Sequence, residues 1–115
     1  MHQLKTITEI ITTSEEQSLY KKMVLQLNKD FLRANIVVDF EDDIQPKDLI
    51  FQLHEIVSKL INEQFSEYLN LLYIVDVSEV KIKSIDTNNF KLMTEQVTFF
   101  IVSREWQKVW FKSNY

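Results

Sequence analysis

The sequence predicts a mainly α-helical fold: a small single-domain bundle of three principal helices joined by short extended segments. The chain has 115 residues, no glycine and one proline, and tight β-hairpin turns depend on glycine for positive φ angles. Apolar residues recur at helical spacing along three long stretches. The hydrophobic fraction of 45% and the charged fraction of 26% are typical of a globular domain. No change in composition divides the chain, so residues 1–115 are expected to form one domain.

Residues 1–13 fit more than one local structure. Ile7, Ile10 and Ile11 suit a helix, whereas the neighbouring threonines suit a strand, so we expect a short element or a partly ordered arm. The segment lacks the uninterrupted apolar run of a signal peptide. No stretch of the chain reaches the ~18 apolar residues that a membrane span requires. These features predict a soluble, cytoplasmic protein.

The first principal helix is predicted over residues 14–34. Thr13 and Glu16 have the spacing of a capping box, in which the two side chains satisfy free backbone amides of the first turn. The apolar side chains of this stretch fall within an arc of roughly 140° at 100° per residue. Leu25 and Leu32 lie off this arc and are expected to form a second, narrower seam.

The second principal helix is predicted over residues 46–72. Pro46 suits the first helical position, where its missing N–H costs nothing. The acidic residues before it favour the positive end of the helix dipole. The apolar side chains of this helix cover an arc of roughly 180°. Because one neighbour cannot cover so wide an arc, we expect this helix to pack against at least two elements.

Two short apolar segments, Ile36–Phe40 and Tyr73–Val77, are ambiguous. The first fits either a strand or an extended linker, and the second either continues the second helix or leaves it as another extended piece. If both are strands, they would form a minor two-stranded pairing. The fold prediction therefore includes that pairing as an option.

The last principal helix is predicted over residues 89–112. A turn signal at residues 86–89 precedes it. A short helix ending near Ile85 is expected before this turn, with Asp76 or Ser78 as its N-cap.

This last helix is unusually apolar, and a helical projection divides its apolar residues into two opposing stripes. One stripe holds Leu92, Phe99, Val102, Trp106, Val109 and Trp110. The other holds Met93, Val97, Phe100, Ile101 and Phe111. With two other long helices available, one stripe is expected to stay uncovered by this chain, and exposed apolar patches mark interaction sites.

The aromatic helix predicts a non-enzymatic protein–protein interaction module, either an adaptor or an assembly subunit. Aromatic residues are enriched at binding hot spots, and the expected anchors are Phe99, Phe100, Trp106, Trp110 and Phe111. Self-association is the simplest arrangement, because a two-fold dimer lets one apolar stripe cover its own copy. The expected partner is therefore a second copy of the chain or a larger assembly. Whether the tryptophans belong to the core or to the interface stays open.

Arg104, Lys108 and Lys112 form a basic row at intervals of four residues. The row fits a solvated face whose cations complement the helix dipole, or a patch for phosphates or an acidic partner. The alternative function is therefore a nucleic-acid-associated accessory protein. The net charge of −4 disfavours a surface that coats nucleic acid throughout, and the tryptophans project from a different face of the helix.

The remaining polar residues favour no catalytic or metal site. Asp39, Glu41, Asp42 and Asp43 lack the glycine and the final glutamate of a calcium loop. They fit a solvated loop before a helix, or a small acidic inhibitor or immunity-type protein. His54 has no carboxylate four residues away that would orient it, and the chain has no cysteine. We therefore expect no enzymatic activity, cofactor, metal or small-molecule substrate.

Overall fold

The computed structural model describes residues 4–115 and forms a mainly helical single domain. Its helices are α1 (Ile7–Glu16), α2 (Tyr20–Arg33), α3 (Pro46–Glu63), α4 (Phe65–Val75), α5 (Glu79–Lys83) and α6 (Phe90–Asn114). The long helix α6 packs against α1, α2, α3 and α4, so it is the central element of the bundle. Residues 4–115 contain six helices and no strand, in place of three principal helices with a possible strand pair. In this described part of the chain, no helix is both long enough and apolar enough to cross a membrane.

The stretch predicted as one helix over residues 14–34 is two helices in the structure. Thr6, not Thr13, caps the first of them: its Oγ1 accepts a hydrogen bond from the Glu9 backbone N–H at 3.1 Å. Thr13 lies inside α1 and forms no capping box. The helix is interrupted at Ser18, which has a φ of 59°, so the helix axis changes direction before α2 begins. Residues 7–13 of the proposed arm are therefore helical, while residues 1–3 lie outside the described part.

The stretch predicted as one helix over residues 46–72 also contains a break. Gln64 has φ −138° and ψ 61° and ends α3 before α4 begins. The break lets the apolar arc face different neighbours, since α3 packs against α6 while α4 packs against α2, α3 and α6. The expectation that this apolar stretch meets at least two elements is confirmed.

Ile36–Phe40 forms an extended connection between α2 and α3 rather than a strand. Asn28 of α2 holds its end: its Nδ2 donates to the Phe40 carbonyl at 2.8 Å, and its Oδ1 accepts from the Phe40 N–H at 2.9 Å. The Phe40 ring packs edge-on against Phe31. The Asn28 amide therefore provides hydrogen-bond partners for the N–H and carbonyl of Phe40. In the predicted strand pair, a neighbouring strand would have provided them.

The second ambiguous segment, Tyr73–Val77, mostly continues α4. The helix runs to Val75, and Asp76 then adopts the left-handed conformation with φ 70°. The predicted short helix follows as α5, and of the two predicted N-caps, Asp76 and Ser78, it is Ser78 that caps it, since its Oγ accepts from Lys81 N–H at 3.4 Å. The predicted last helix is confirmed with bounds shifted by one or two residues, and Asn89 caps it.

The buried face of α6 is a single arc that crosses both predicted stripes. Val97 and Ile101 come from one stripe, and Val102, Trp106 and Val109 come from the other, and all five are buried. At 100° per residue these side chains span about 180°. Four helices surround α6, whereas the sequence predicted only two other long helices. More of the circumference of α6 is therefore covered than expected.

Candidate interaction surface

The side of α6 that faces away from the core carries aromatic and uncharged polar side chains. It spans about 120° at 100° per residue, and we call it the outward face. Its members are Gln96, Phe99, Phe100, Ser103, Gln107, Trp110, Phe111 and Asn114, all half-buried or exposed. Within α6, which the structure describes in full, none of these residues is charged, and Arg104 lies at the edge of the face. A partly exposed face without charge is typical of an interaction surface.

The five predicted anchors divide between this face and the core. Phe99, Phe100 and Trp110 are half-buried and pack partly against the core, while Phe111 keeps 51% of its surface exposed. Trp106 is 2% exposed, so in this structure it is a core residue and has no surface to offer a partner. Trp106 is more buried than Trp110 because it projects toward the covered side of α6, about 40° away from Trp110 around the helix.

The C-terminal end of α6 forms an aromatic cluster on the surface. The Trp110 and Phe111 rings lie 5.3 Å apart, and the Tyr115 ring stacks on Phe111 at 5.6 Å. Tyr115 is itself 91% exposed. The cluster thus fixes the orientation of Phe111, which reduces the side-chain entropy that a partner would have to freeze.

The basic row does not form one open patch. Arg104 donates from Nε to the Asp76 carbonyl and from a terminal guanidinium nitrogen to Asp76 Oδ2, both at 3.2 Å. Lys108 Nζ donates to Asp30 Oδ2 at 2.8 Å, and Lys112 Nζ donates to Gln26 Oε1 at 3.0 Å. The row therefore ties α6 to α2 and to the end of α4.

Beside Lys108 lies a buried carboxyl pair that the sequence analysis did not identify. Asp30 of α2 and Glu105 of α6 each have 0% of their surface exposed. Lys108 Nζ lies 3.3 Å from Glu105 Oε1, and Gln26 Nε2 donates to Asp30 Oδ2 at 3.2 Å. The group contains two acids and Lys108, and the mostly exposed Arg33 lies 4.0 Å from Asp30 Oδ1, so full ionisation would place two buried carboxylates beside a single partly buried cation.

The two carboxyls differ in their affinity for a proton. Burial raises the pKa of Glu105 to about 9, and the neighbouring Asp30 adds to the rise while Lys108 opposes it. Burial also acts to raise the pKa of Asp30, but hydrogen bonds from Glu105, Lys108 and Gln26 outweigh it and hold that pKa below 3.8. At neutral pH these shifts leave Glu105 protonated and Asp30 ionised, so one of the two buried carboxyls carries a charge.

The acidic loop and His54 are not assembled into a metal or catalytic site. Asp39, Glu41, Asp42 and Asp43 are exposed on the connection before α3. His54 is half-buried and lines a cavity of about 490 Å³ between α1, α3 and α6. Among the residues that the structure describes, no group of three or more His, Asp or Glu side chains is placed to hold a metal ion.

The fold and its surface define a helical bundle with an uncharged aromatic face on its central helix. No family model, curated protein or solved structure matches this chain.

Proposed function

We propose that the protein is a non-enzymatic interaction module that self-associates through the outward face of α6. The observation that carries the proposal is the composition of this face, which combines Phe99, Trp110 and Phe111 with uncharged polar residues. Burying such a face removes apolar area from water without stranding a charge. An adaptor or an assembly subunit with this fold would use the outward face of α6 as well.

A second copy of the chain is the partner that this face fits best. In a two-fold dimer the same patch meets itself, so any charge on the patch would face a like charge. The eight residues that form the outward face are uncharged, which limits that repulsion. The cations that border the face are Arg104 and Lys81, whose Nζ lies 5.9 Å from the centroid of the Phe100 ring. Antiparallel pairing of two α6 helices would place aromatic residues of one copy against those of the other.

The dimer is expected to be reversible. The helix α6 has 25 residues and is therefore about 37 Å long at 1.5 Å per residue. One face of a single helix is narrower than a standard interface, which buries roughly 800 Å² per partner. We therefore expect dissociation in the micromolar range, with Phe111 and Trp110 contributing most of the affinity.

Phe111→Glu tests this proposal. It places a carboxylate on the outward face, where a dimer would bury it against apolar side chains of the other copy. Because Phe111 is 51% exposed, the monomer should fold normally. Sedimentation velocity from low to high micromolar concentration should show a monomer–dimer equilibrium for the native protein, and the variant should weaken it at least tenfold (about 1.4 kcal/mol).

Phe51→Glu is the matched control, since Phe51 is an aromatic residue of α3 with 66% of its surface exposed. It should leave the equilibrium unchanged. The proposal would be contradicted if the native protein stayed monomeric throughout the micromolar range. It would also be contradicted if Phe111→Glu and Phe51→Glu weakened the dimer equally.

The nucleic-acid alternative has less structural support. Arg104, Lys108 and Lys112 are engaged with Asp76, Asp30 and Gln26 of the same chain, and a phosphate would have to compete with these contacts. The inhibitor alternative depends on the exposed acidic loop alone.

A further inference from the structure

A groove runs along the surface between α2 and the C-terminal end of α6, on a different side of α6 from Phe111. Its volume is about 320 Å³. The lining residues are Lys22, Leu25, Gln26, Lys29, Val109, Lys112 and Ser113. Leu25, which lies outside the apolar arc predicted for residues 14–34, is 54% exposed. An apolar side chain is therefore accessible to solvent between Lys22 and Lys29.

The groove is strongly positive although the chain as a whole has a net charge of −4. Lys22, Lys29 and Lys112 line it, and the other lining residues are uncharged. The Lys112 ammonium is held at the groove by its hydrogen bond to Gln26. Lys22 and Lys29 on either side of the exposed Leu25 match a ligand that carries carboxylates on either side of an apolar side chain.

The spacing of the lysines matches two turns of helix. Lys22 and Lys29 are seven residues apart on α2, which is about 10 Å at 1.5 Å per residue. Leu25 lies between them on the same side of α2. A partner helix lying along the groove would present residues at i, i+3, i+4 and i+7 over that distance.

A second copy of the chain does not fit this groove. Two copies related by a two-fold axis would bring lysines against lysines. The chain's own acidic loop has carboxylates at Glu41, Asp42 and Asp43, but the aromatic residue among them, Phe40, is buried and is not free to anchor the loop.

We propose that this groove docks an acidic amphipathic helix of a different protein, with an apolar residue on Leu25 and carboxylates on Lys22 and Lys29. The interaction goes beyond self-association, since it uses a separate surface of α6. The protein would thus have one uncharged face for its own copy and one cationic groove for an acidic partner.

The probe is a fluorescein-labelled synthetic peptide with alternating pairs of glutamate and leucine, titrated with the full chain and followed by fluorescence anisotropy. Lys22→Glu/Lys29→Glu should weaken binding at least tenfold, and Leu25→Gln should also weaken it. The control Lys47→Glu/Lys59→Glu makes the same charge change at exposed positions of α3 and should alter affinity less than threefold. Circular dichroism checks that each variant is folded.

Three results would overturn the proposal. One is the absence of binding to the native protein at low salt, and another is equal weakening by the groove and control double variants. The third is tighter binding of a single-stranded oligonucleotide of equal charge than of the peptide. Phe111→Glu should leave peptide binding unchanged, which separates failure of the groove from failure of the dimer.

Discussion

At the scale of single residues, the Asp30–Glu105 pair is the most consequential polar feature of the core. Two buried carboxylates with one lysine would be costly, and retaining a proton on Glu105 removes the excess charge. Asp30 Oδ1 and both Glu105 oxygens meet no geometric hydrogen-bond partner within residues 4–115. A proton on one Glu105 oxygen, donated to Asp30 Oδ1, would pair two of these three atoms, which agrees with the opposite directions of the two pKa shifts.

Glu105→Gln should keep the fold and flatten its pH dependence. The amide mimics the neutral, hydrogen-donating acid but needs no proton on folding, so the variant should match the native protein near pH 4 and be the more stable of the two at pH 7. In the native protein the pKa of Glu105 rises from 4.5 to about 9 on folding. The folded state therefore binds more protons than the unfolded state between these values, and stability should fall as pH rises through that window.

Urea unfolding at a series of pH values measures this slope. The native protein and the control Glu95→Gln, at an exposed position of α6, should lose stability from about pH 4.5 to 9, whereas Glu105→Gln should lose less. If all three proteins share the same slope, Glu105 is ionised in the folded state and the shared proton is absent. The Asp30 contribution has the opposite sign and is lost as pH falls toward and below 3.8.

A helical projection of the sequence contains a signal for the Asp30–Glu105 pair. Glu105 lies in the middle of the apolar arc formed by Ile101, Val102 and Val109, where a charge is costly unless it is paired or neutralised. Its partner Asp30 is distant in sequence, so only tertiary packing reveals the pair.

At the scale of elements, Asn28 is the residue that fixes the connection between α2 and α3. Its side chain makes two hydrogen bonds to the backbone of Phe40, which is buried. Asn28→Ala should leave that N–H and carbonyl unpartnered and reduce the free energy of unfolding by about 1–3 kcal/mol. Asn62→Ala, at an exposed position of α3, is the control for helix propensity.

Urea denaturation compares the two alanine variants. Asn62→Ala should be neutral or slightly stabilising, since alanine is the better helix former. Equal stability of the two variants would show that the Asn28 amide contributes nothing to the connection.

The polar caps of α5 and α6 were predictable, whereas the Thr6 cap of α1 and the break inside the apolar stretch of residues 46–72 were not. Ser78 precedes its helix with the expected capping chemistry, and residues 86–89 signal the start of α6. The break at Gln64 lies within continuous apolar periodicity, so the pattern alone runs through it, whereas the break at Ser18 ends a polar run, residues 12–18, that also fits the first turn of a helix. Without glycine, non-glycine residues adopt positive φ at the ends of α1 and α4, and no sequence rule marks Ser18 for that conformation.

At the scale of the whole molecule, the number of helices around α6 decides which of its residues reach the surface. The prediction of two opposing stripes assumed few neighbours, whereas α1, α2, α3 and α4 all contact α6. This coverage buries Trp106 and leaves Phe111 exposed. The aromatic character of α6 was therefore predictable, but the division between core and surface depended on tertiary packing.

The most direct test of self-association through the outward face is sedimentation equilibrium of Gln107→Glu. This change preserves side-chain size and adds one charge near the middle of the uncharged face, and Gln52→Glu does the same at an exposed position of α3. Gln107→Glu should raise the dimer dissociation constant at least fivefold (about 1 kcal/mol), with partial recovery in high salt because ions screen the repulsion. Gln52→Glu should match the native protein. A dissociation constant unaffected by Gln107→Glu would contradict the account, because the dimer would then not use this face.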